Sequence, residues 1–410
     1  MTFPSTIIIG AGQCGLAMSR QLSAHSLDHL ILERGTVAHS WATERWDSLR
    51  LLTPNWMNRL PGYPYAGPDP DGYMSMPAIT GHLRDYAQQI AAPVMEGVTV
   101  LRAHPGGPGW TVETTAGRFA ARNLVLATGA CTIASVPGFA AGVPTGITQI
   151  TPLDYKRPSD LPEGGVLVVG GSATGVQLAR EIHLSGRPVI LATGEHTRVP
   201  RTYRGRDIKW WMQAVGLLDQ SYTEVDDLQR VRRTPSLQLA GQKEMLDLNA
   251  LSAIGIETVG RLMDVRNGAA QFSGALANHC AMADLKVNRL LHLIDDWVEE
   301  NGLADFVDPA HRFAPTCVPQ TPRLGLPLAS GEIRTILWAT GFRPDLSWLD
   351  APVFDRKGRL VHDGGIVAPG LYVMGLPFLR RRKSTLIGGA GADARDLASH
   401  ILTAQGRRAA

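Results

Sequence analysis

Two short glycine-rich stretches carry the residues whose chemistry is easiest to name: Gly10-Ala11-Gly12-Gln13-Cys14-Gly15 near the start of the chain and Gly170-Gly171-Ser172-Ala173-Thr174-Gly175 near its middle. Their chemistry would be the holding of a pyrophosphate. The first glycine makes a tight turn, the second lets the backbone approach the phosphates, and the third lets a helix pack closely on a strand. In the second stretch Ser172 takes the middle position and is small enough to permit the same approach. Gly10, Gly12 and Gly15, and again Gly170, Ser172 and Gly175, are the expected phosphate contacts. One such pattern alone reads as well as a glycine-rich turn. Two of them, each between strand and helix and about one domain length apart, point to two dinucleotides in one chain.

The elements that must position these loops lie on either side. Thr6-Ile7-Ile8-Ile9 and Val166-Leu167-Val168-Val169 are β-branched, apolar runs of strand type, and helical patterns follow them, Leu16 to Ser23 in the first case. The next strand, His29-Leu30-Ile31-Leu32, ends on Glu33. A carboxylate at that tip accepts hydrogen bonds from the ribose hydroxyls of an adenosine and repels a 2′-phosphate, so the first site should hold FAD or NAD, not NADP. The alternative for Glu33 is an exposed strand-end carboxylate. In the second unit the matching strand, Pro188 to Ala192, ends on Thr193-Gly194 with no acid, and Arg198, Arg201 and Arg204 follow. A missing acid with guanidiniums at hand suits the 2′-phosphate of NADPH, gripped by Arg198 and Arg201, and the alternative is a basic surface loop. The expected fold is α/β with two Rossmann-like dinucleotide-binding domains.

Composition narrows the remaining classes. At 410 residues the chain has room for two or three domains, and 44% hydrophobic residues give it an ordinary globular core. Forty basic against 37 acidic residues, a net charge of +3, is too mild a balance to imply nucleic acid. No run approaches transmembrane length and no cleavable leader is recognisable, so a cytoplasmic protein without a membrane partner is expected. Cys14, Cys131, Cys280 and Cys317 form no Cys-x-x-Cys pair, and no His/Cys cluster has metal-ligand spacing. Structural zinc, a redox disulfide and a bound metal are all disfavoured. Arg380-Arg381-Arg382-Lys383, the densest basic cluster, reads as a solvated loop.

Two further apolar strands close on the same tripeptide, Ala127-Thr128-Gly129 and Ala339-Thr340-Gly341, and bracket the second glycine loop. A late strand, Leu371-Tyr372-Val373-Met374, ends on Gly375. Together with Glu33-Arg34-Gly35 leading to Ser40-Trp41, the run Trp46 to Pro54, and Gly341-Phe342-Arg343-Pro344, these residues resemble the flavin-containing monooxygenases, the class B flavoprotein monooxygenases. The resemblance covers essentially the whole chain and is nearest the compact bacterial members. One motif departs from it: where the family has Phe-x-Gly-x-x-x-His-x-x-x-Tyr/Phe, this chain runs Pro144 to Tyr155 with Thr151 at the histidine position.

What the resemblance implies is specific. The FAD domain would be discontinuous, residues 1–157 and 323–410, with a NADPH domain, 158–322, inserted between Pro158-Ser159-Asp160-Leu161-Pro162 and Pro319-Gln320-Thr321-Pro322. Arg34, Trp41, Ala127, Thr128, Gly129, Gly341, Gly375, Thr385 and Leu386 would join the glycine loops in holding cofactor, and a final helix would point its N-terminus at the flavin. Asn55 or Asn58 would supply an amide to the oxygen chemistry, the alternative being that both only shape a turn. The cofactors would be FAD and NADPH, and the partners a small organic substrate and molecular oxygen, in a homodimer of the kind common among relatives. The implied reaction is oxygenation of a nitrogen, a sulfur or a ketone through a C4a-hydroperoxyflavin. An NAD(P)H:acceptor oxidoreductase without productive oxygenation is the alternative.

Overall fold

The computed structural model describes residues 4–107 and 109–409, with the side chains of 405–409 left aside. Two sheets organise the chain, the second all parallel and the first parallel but for its antiparallel edge strand Ile366–Ala368. The first has six strands in the order Ile366–Ala368, Leu371–Val373, Asn123–Leu126, Thr6–Ile9, His29–Leu32 and Val94–Met95. The second has five, in the order Glu257–Val259, Val189–Ala192, Gly165–Val169, Ile333–Trp338 and Thr148–Ile150.

Strand periodicity explains why each sheet is covered on both sides. In the first, Ile8, Val125 and Tyr372 face the helix Gln13–Ala24 and the final helix Ile387–Ala409. Their strand neighbours Ile7, Ile9, Leu124 and Leu126 face a three-stranded antiparallel layer, Val100–Gly106, Gly109–Thr114 and Gly117–Ala121. The second sheet repeats the arrangement. Val166, Val168, Val189 and Leu191 pack on the helices Ala173–Leu184 and Leu248–Ala253, and Leu167, Val169, Ile190 and Trp338 pack on a second antiparallel layer, Leu262–Arg266, Ala269–Phe272 and Gly325–Pro327. A fully buried Ile or Val contributes about 1.5–3 kcal/mol relative to exposure, so these doubly covered strands carry much of the hydrophobic stabilisation.

The domain boundaries expected at 157 and 322 need correction. Thr148–Ile150 pairs with Ile333–Trp338, and that strand lies between Thr148–Ile150 and Gly165–Val169 in the second sheet. The second domain therefore runs from about residue 148 to 338, and its own sheet keeps the second Ala-Thr-Gly strand. The crossovers are not the two proline-rich stretches. They are the segments carrying Ile133–Ala134 and Phe342–Arg343, which pair antiparallel as the chain leaves the first domain and returns. The 25-residue helix Leu276–Glu300 and the helix Ile208–Ala214 lie within the second domain and bury Trp211, Val287, Leu291 and Ile294 against each other.

Candidate nucleotide-binding site

Register brings the expected residues of the first site together. Ile9 pairs with Leu32 on one side and Leu126 on the other, so Gly10, Glu33 and Ala127 emerge side by side at the carboxyl ends of three adjacent strands. That is the place in an open parallel sheet where ligands bind. Gly10 adopts φ +105°, and a Cβ there would sit 2.7 Å from Ala127 O; a Cβ at Gly15 would sit 1.9 Å from Gly10 O. The second loop repeats both constraints: Gly170 has φ +117° and a Cβ would lie 2.3 Å from Ala339 O, while one at Gly175 would lie 1.7 Å from Gly170 O. The two loops share the same close backbone approaches.

Both helices that follow begin without a side-chain cap, at Gly12 and at Ser172. Their first-turn amides are left as donors, and a helix N-terminus with free amides favours an anion. In front of the first loop lies a cleft of about 360 Å³ lined by Gly10, Gly12, Glu33, Arg34, Trp41, Ala127, Thr128, Gly129, Gly375 and Thr385. Glu33 is buried; its carboxylate accepts from Ala11 N at 2.8 Å and from Gly35 N at 3.0 Å, which fixes it at the edge of the glycine turn. Arg34 is paired with Glu44, and the Trp41 indole donates to Gln13 Oε1 at 3.1 Å. Gly15 and Gly175 act behind the loops as spacers, and Gly341 follows the strand beside the second loop.

The cleft also recruits residues that carried no local signal. Arg45, Cys131, Thr132, Asp345 and Trp348 line it, the last two from the returning segment after the second domain. Cys14 lines it as well, but its thiol is buried and pushed up to about 12, by burial first and by the nearby Asp393 second. The Cys131 thiol, on an exposed residue at the cleft wall, is also raised, by desolvation that outweighs the nearby Arg45. All four cysteines are free. Neither cleft thiol is poised to act as a thiolate nucleophile.

Three other expectations meet a different geometry. Asn55 donates to Asp69 O at 2.8 Å and accepts from Met74 N at 2.8 Å; Asn58 accepts from Thr53 Oγ1 at 2.7 Å and donates to Pro54 O at 3.2 Å. The Asn58 amide is spent on the turn Thr53 to Asn58 and the Asn55 amide ties that turn to Asp69 and Met74, so both shape the local backbone and are taken up by it. Leu386 does not line the large cleft. It packs with Trp56, Met57, Met212 and Leu218, where the helix Ile208–Ala214 of the second domain meets the first.

The arginines expected at a 2′-phosphate are buried instead. Arg198 is 4% exposed and bonded to Asp247 Oδ2 at 2.8 Å and Asp284 Oδ1 at 2.7 Å. Arg201 is 1% exposed; it donates to Asp207 Oδ2, to Leu52 O at 3.0 Å and to Ala240 O at 3.3 Å, and its guanidinium carbon lies 4.4 Å over the Tyr73 ring. Because Leu52 and Tyr73 belong to the first domain, Arg201 clamps the two domains together. The cluster Arg380 to Lys383 is not simply solvated either: Arg380 and Arg381 pair with Asp396, Arg381 also with Asp393, and Lys383 with Asp219.

Among the described residues no group of His, Cys, Asp or Glu is placed to hold a metal ion, and no helix is long and apolar enough to cross a membrane. Tyr155, at the end of the departing motif, donates to Glu181 Oε1 at 3.0 Å and pins that segment to the helix behind the second loop.

Comparison with known proteins agrees with this geometry. The chain is 29% identical to an uncharacterized CzcO-like oxidoreductase of Geobacillus kaustophilus over 97% of each. It is 26% identical to the probable indole-3-pyruvate monooxygenase YUCCA4 of Arabidopsis thaliana, over 73% of this chain and 78% of that one. Its fold matches a flavin-containing monooxygenase from Stenotrophomonas maltophilia with TM-score 0.67 at 19% identity, covering 98% of this chain and 99% of the other. The family model described as pyridine nucleotide-disulphide oxidoreductase matches residues 7–215, which span the first glycine loop, the second, and the helix Ile208–Ala214. The chain belongs to the pyridine nucleotide-disulphide oxidoreductase family and is a FAD-dependent oxidoreductase.

Proposed function

We propose that the protein is an NADPH-dependent flavin monooxygenase that oxygenates a small organic molecule at nitrogen, at sulfur or at a ketone. NADPH supplies two electrons; one atom of molecular oxygen enters the product and the other leaves as water. The observation that carries this reading is the state of the cleft thiols. A disulfide reductase needs a thiolate or a cysteine pair beside its flavin, and here Cys14 is held protonated while Cys131 has no partner cysteine. That disfavours a disulfide as the acceptor, and among the remaining acceptors the likeness to monooxygenases favours oxygen. The plant relative and the Stenotrophomonas fold neighbour, described as a probable monooxygenase and a monooxygenase, support the same choice.

Bound flavin would supply the redox chemistry, taking hydride from the nicotinamide and giving electrons to oxygen. The chain supplies binding, position and exclusion of water. The first-turn amides after Gly12 and Ser172 hold the two pyrophosphates, and Glu33 accepts from the ribose of the flavin nucleotide. Leu386, Trp56, Met57 and Met212 close the interdomain side with apolar surface, which keeps water from charged intermediates. The final helix starts at Ile387, two residues after the cleft residue Thr385, so its positive end favours negative charge on a reduced cofactor.

The test is NADPH oxidation under ¹⁸O₂ with amines, thioethers and ketones, products read by mass spectrometry and peroxide measured alongside. Incorporation of one labelled atom per NADPH consumed is the expected result. NADPH turnover with dye or quinone acceptors and no labelled product from any of these substrates would overturn the monooxygenase reading in favour of a plain acceptor oxidoreductase.

A further inference from the structure

The two nucleotide sites end their second strands differently. The first tip carries Glu33; the second carries Thr193-Gly194, and the arginines that follow it are locked into carboxylates. Arg204 is no exception, being 7% exposed and paired with Asp295. The cation that does reach this tip comes from elsewhere in the chain. Ala192 pairs with Val259 in the parallel sheet, so Gly260-Arg261 leaves the neighbouring strand level with Thr193-Gly194. A Cβ at Gly194 would lie 3.2–3.4 Å from Cβ, Cγ and Cδ of Arg261, so the aliphatic stem of this arginine lies against the glycine. Arg261 is exposed, and no side-chain hydrogen bond or ion pair links its guanidinium to any other described residue.

The surroundings fit an anion. Glu195, the one acid just past the tip, is taken up by Lys286 at 2.8 Å, which together with Arg230 and His279 holds its carboxyl below the usual range. That leaves Arg261 as uncompensated positive charge beside the strand end. The pyrophosphate loop is within one residue's reach: a Cβ at Gly171 would strike Thr193 Oγ1 at 1.9 Å, and Gln238 donates to Gly171 O at 2.7 Å. Two buried polar atoms here have no protein partner, Gln238 Oε1 and His196 Nε2, and His196 is 1% exposed. A free guanidinium at the strand tip, one strand over from the glycine loop, is what the 2′-phosphate of a bound nucleotide would pair with.

We propose that Arg261 grips the 2′-phosphate of NADPH and sets the preference for NADPH over NADH. The inference rests on the NADPH reading above and names the residue that enforces it. Gly194 serves it by leaving room for the arginine stem. Arg198 and Arg201 serve the fold.

The test uses the purified, flavin-loaded protein and two probes, adenosine 2′,5′-bisphosphate and 5′-AMP, with affinities measured by calorimetry. Wild type is expected to bind the bisphosphate at least about tenfold more tightly. Arg261→Gln should remove that advantage while leaving 5′-AMP binding unchanged, and it should raise KM for NADPH but not for NADH. Arg261→Lys, which keeps the charge without the fork, should restore part of the difference. An Arg261→Gln protein that still discriminates the two probes would overturn the assignment to Arg261 alone. A wild type that binds both probes equally would overturn the NADPH reading itself, and this inference with it.

Discussion

Replacing Arg198 by alanine should damage the second domain far more than it damages coenzyme selectivity. The guanidinium makes four contacts: Asp247 Oδ2 from Nε and Nη2, each at 2.8 Å, and Asp284 Oδ1 at 2.7 Å with Ala314 O at 2.9 Å from Nη1. Deleting it leaves the buried Asp247 and the partly buried Asp284 without this cation, and removing one partner of a buried ion pair typically costs about 3–5 kcal/mol. The lower part of that range applies, because both carboxylates keep other donors. Asp247 still caps its helix through Ala250 N at 2.9 Å, and Asp284 still accepts from Thr316 N at 2.8 Å and Thr316 Oγ1 at 2.9 Å. About 3 kcal/mol in a domain of this size corresponds to a fall in Tm of roughly 6–12 °C. Thermal unfolding followed by circular dichroism reads the fall, and Arg198→Lys, retaining the charge, should lose less. NADPH and NADH should be weakened alike. A variant that melts with wild type yet loses NADPH selectively would refute the argument and return Arg198 to the phosphate.

Further outcomes follow from other residues. Glu33→Gln puts an amide donor where Ala11 and Gly35 already donate, and FAD retention should fall by about tenfold or more, measured as free flavin after gel filtration; full retention would remove Glu33 from the ribose site. Asn58→Ala empties a fully buried amide that braces Thr53 and Pro54, so stability should drop by about 1–3 kcal/mol in denaturant titration, and no change would return Asn58 to a role in chemistry. Lys209 is buried, and burial, with Arg201 beside it, pulls its pKa down from 10.5 to about 8. The unfolded chain therefore holds this proton up to higher pH than the folded one, so this residue makes stability rise with pH between about 8 and 10.5. Lys209→Met should raise Tm at pH 7 and flatten that rise; a variant with the wild-type pH profile would contradict the burial argument.

What could be read from the chain alone, and what could not, divides by the sequence distance of the partners. Gly10, Glu33 and Ala127 were legible because strand, turn and tip follow one another locally and the parallel register does the rest. Arg198 was not, because its carboxylates stand 49 and 86 residues further along and nothing near it announces them. Arg261 was invisible for the same reason, since only the pairing of Val189–Ala192 with Glu257–Val259 carries it to Gly194. The domain boundaries slipped because Thr148–Ile150 finds its partner in Ile333–Trp338, far along the chain, with a crossover on the way. Asn55 and Asn58 misled in the opposite sense. Asn58 finds its partners within five residues, in a short turn whose hydrogen bonds leave the amide nothing to offer a ligand.

The central claim is that one chain holds a flavin within hydride reach of a reduced nicotinamide, and anaerobic mixing tests it most directly. The yellow, flavin-loaded protein, mixed with NADPH in the absence of oxygen, should bleach in a single turnover with one NADPH consumed per flavin. A protein that binds both nucleotides yet stays yellow would contradict the account.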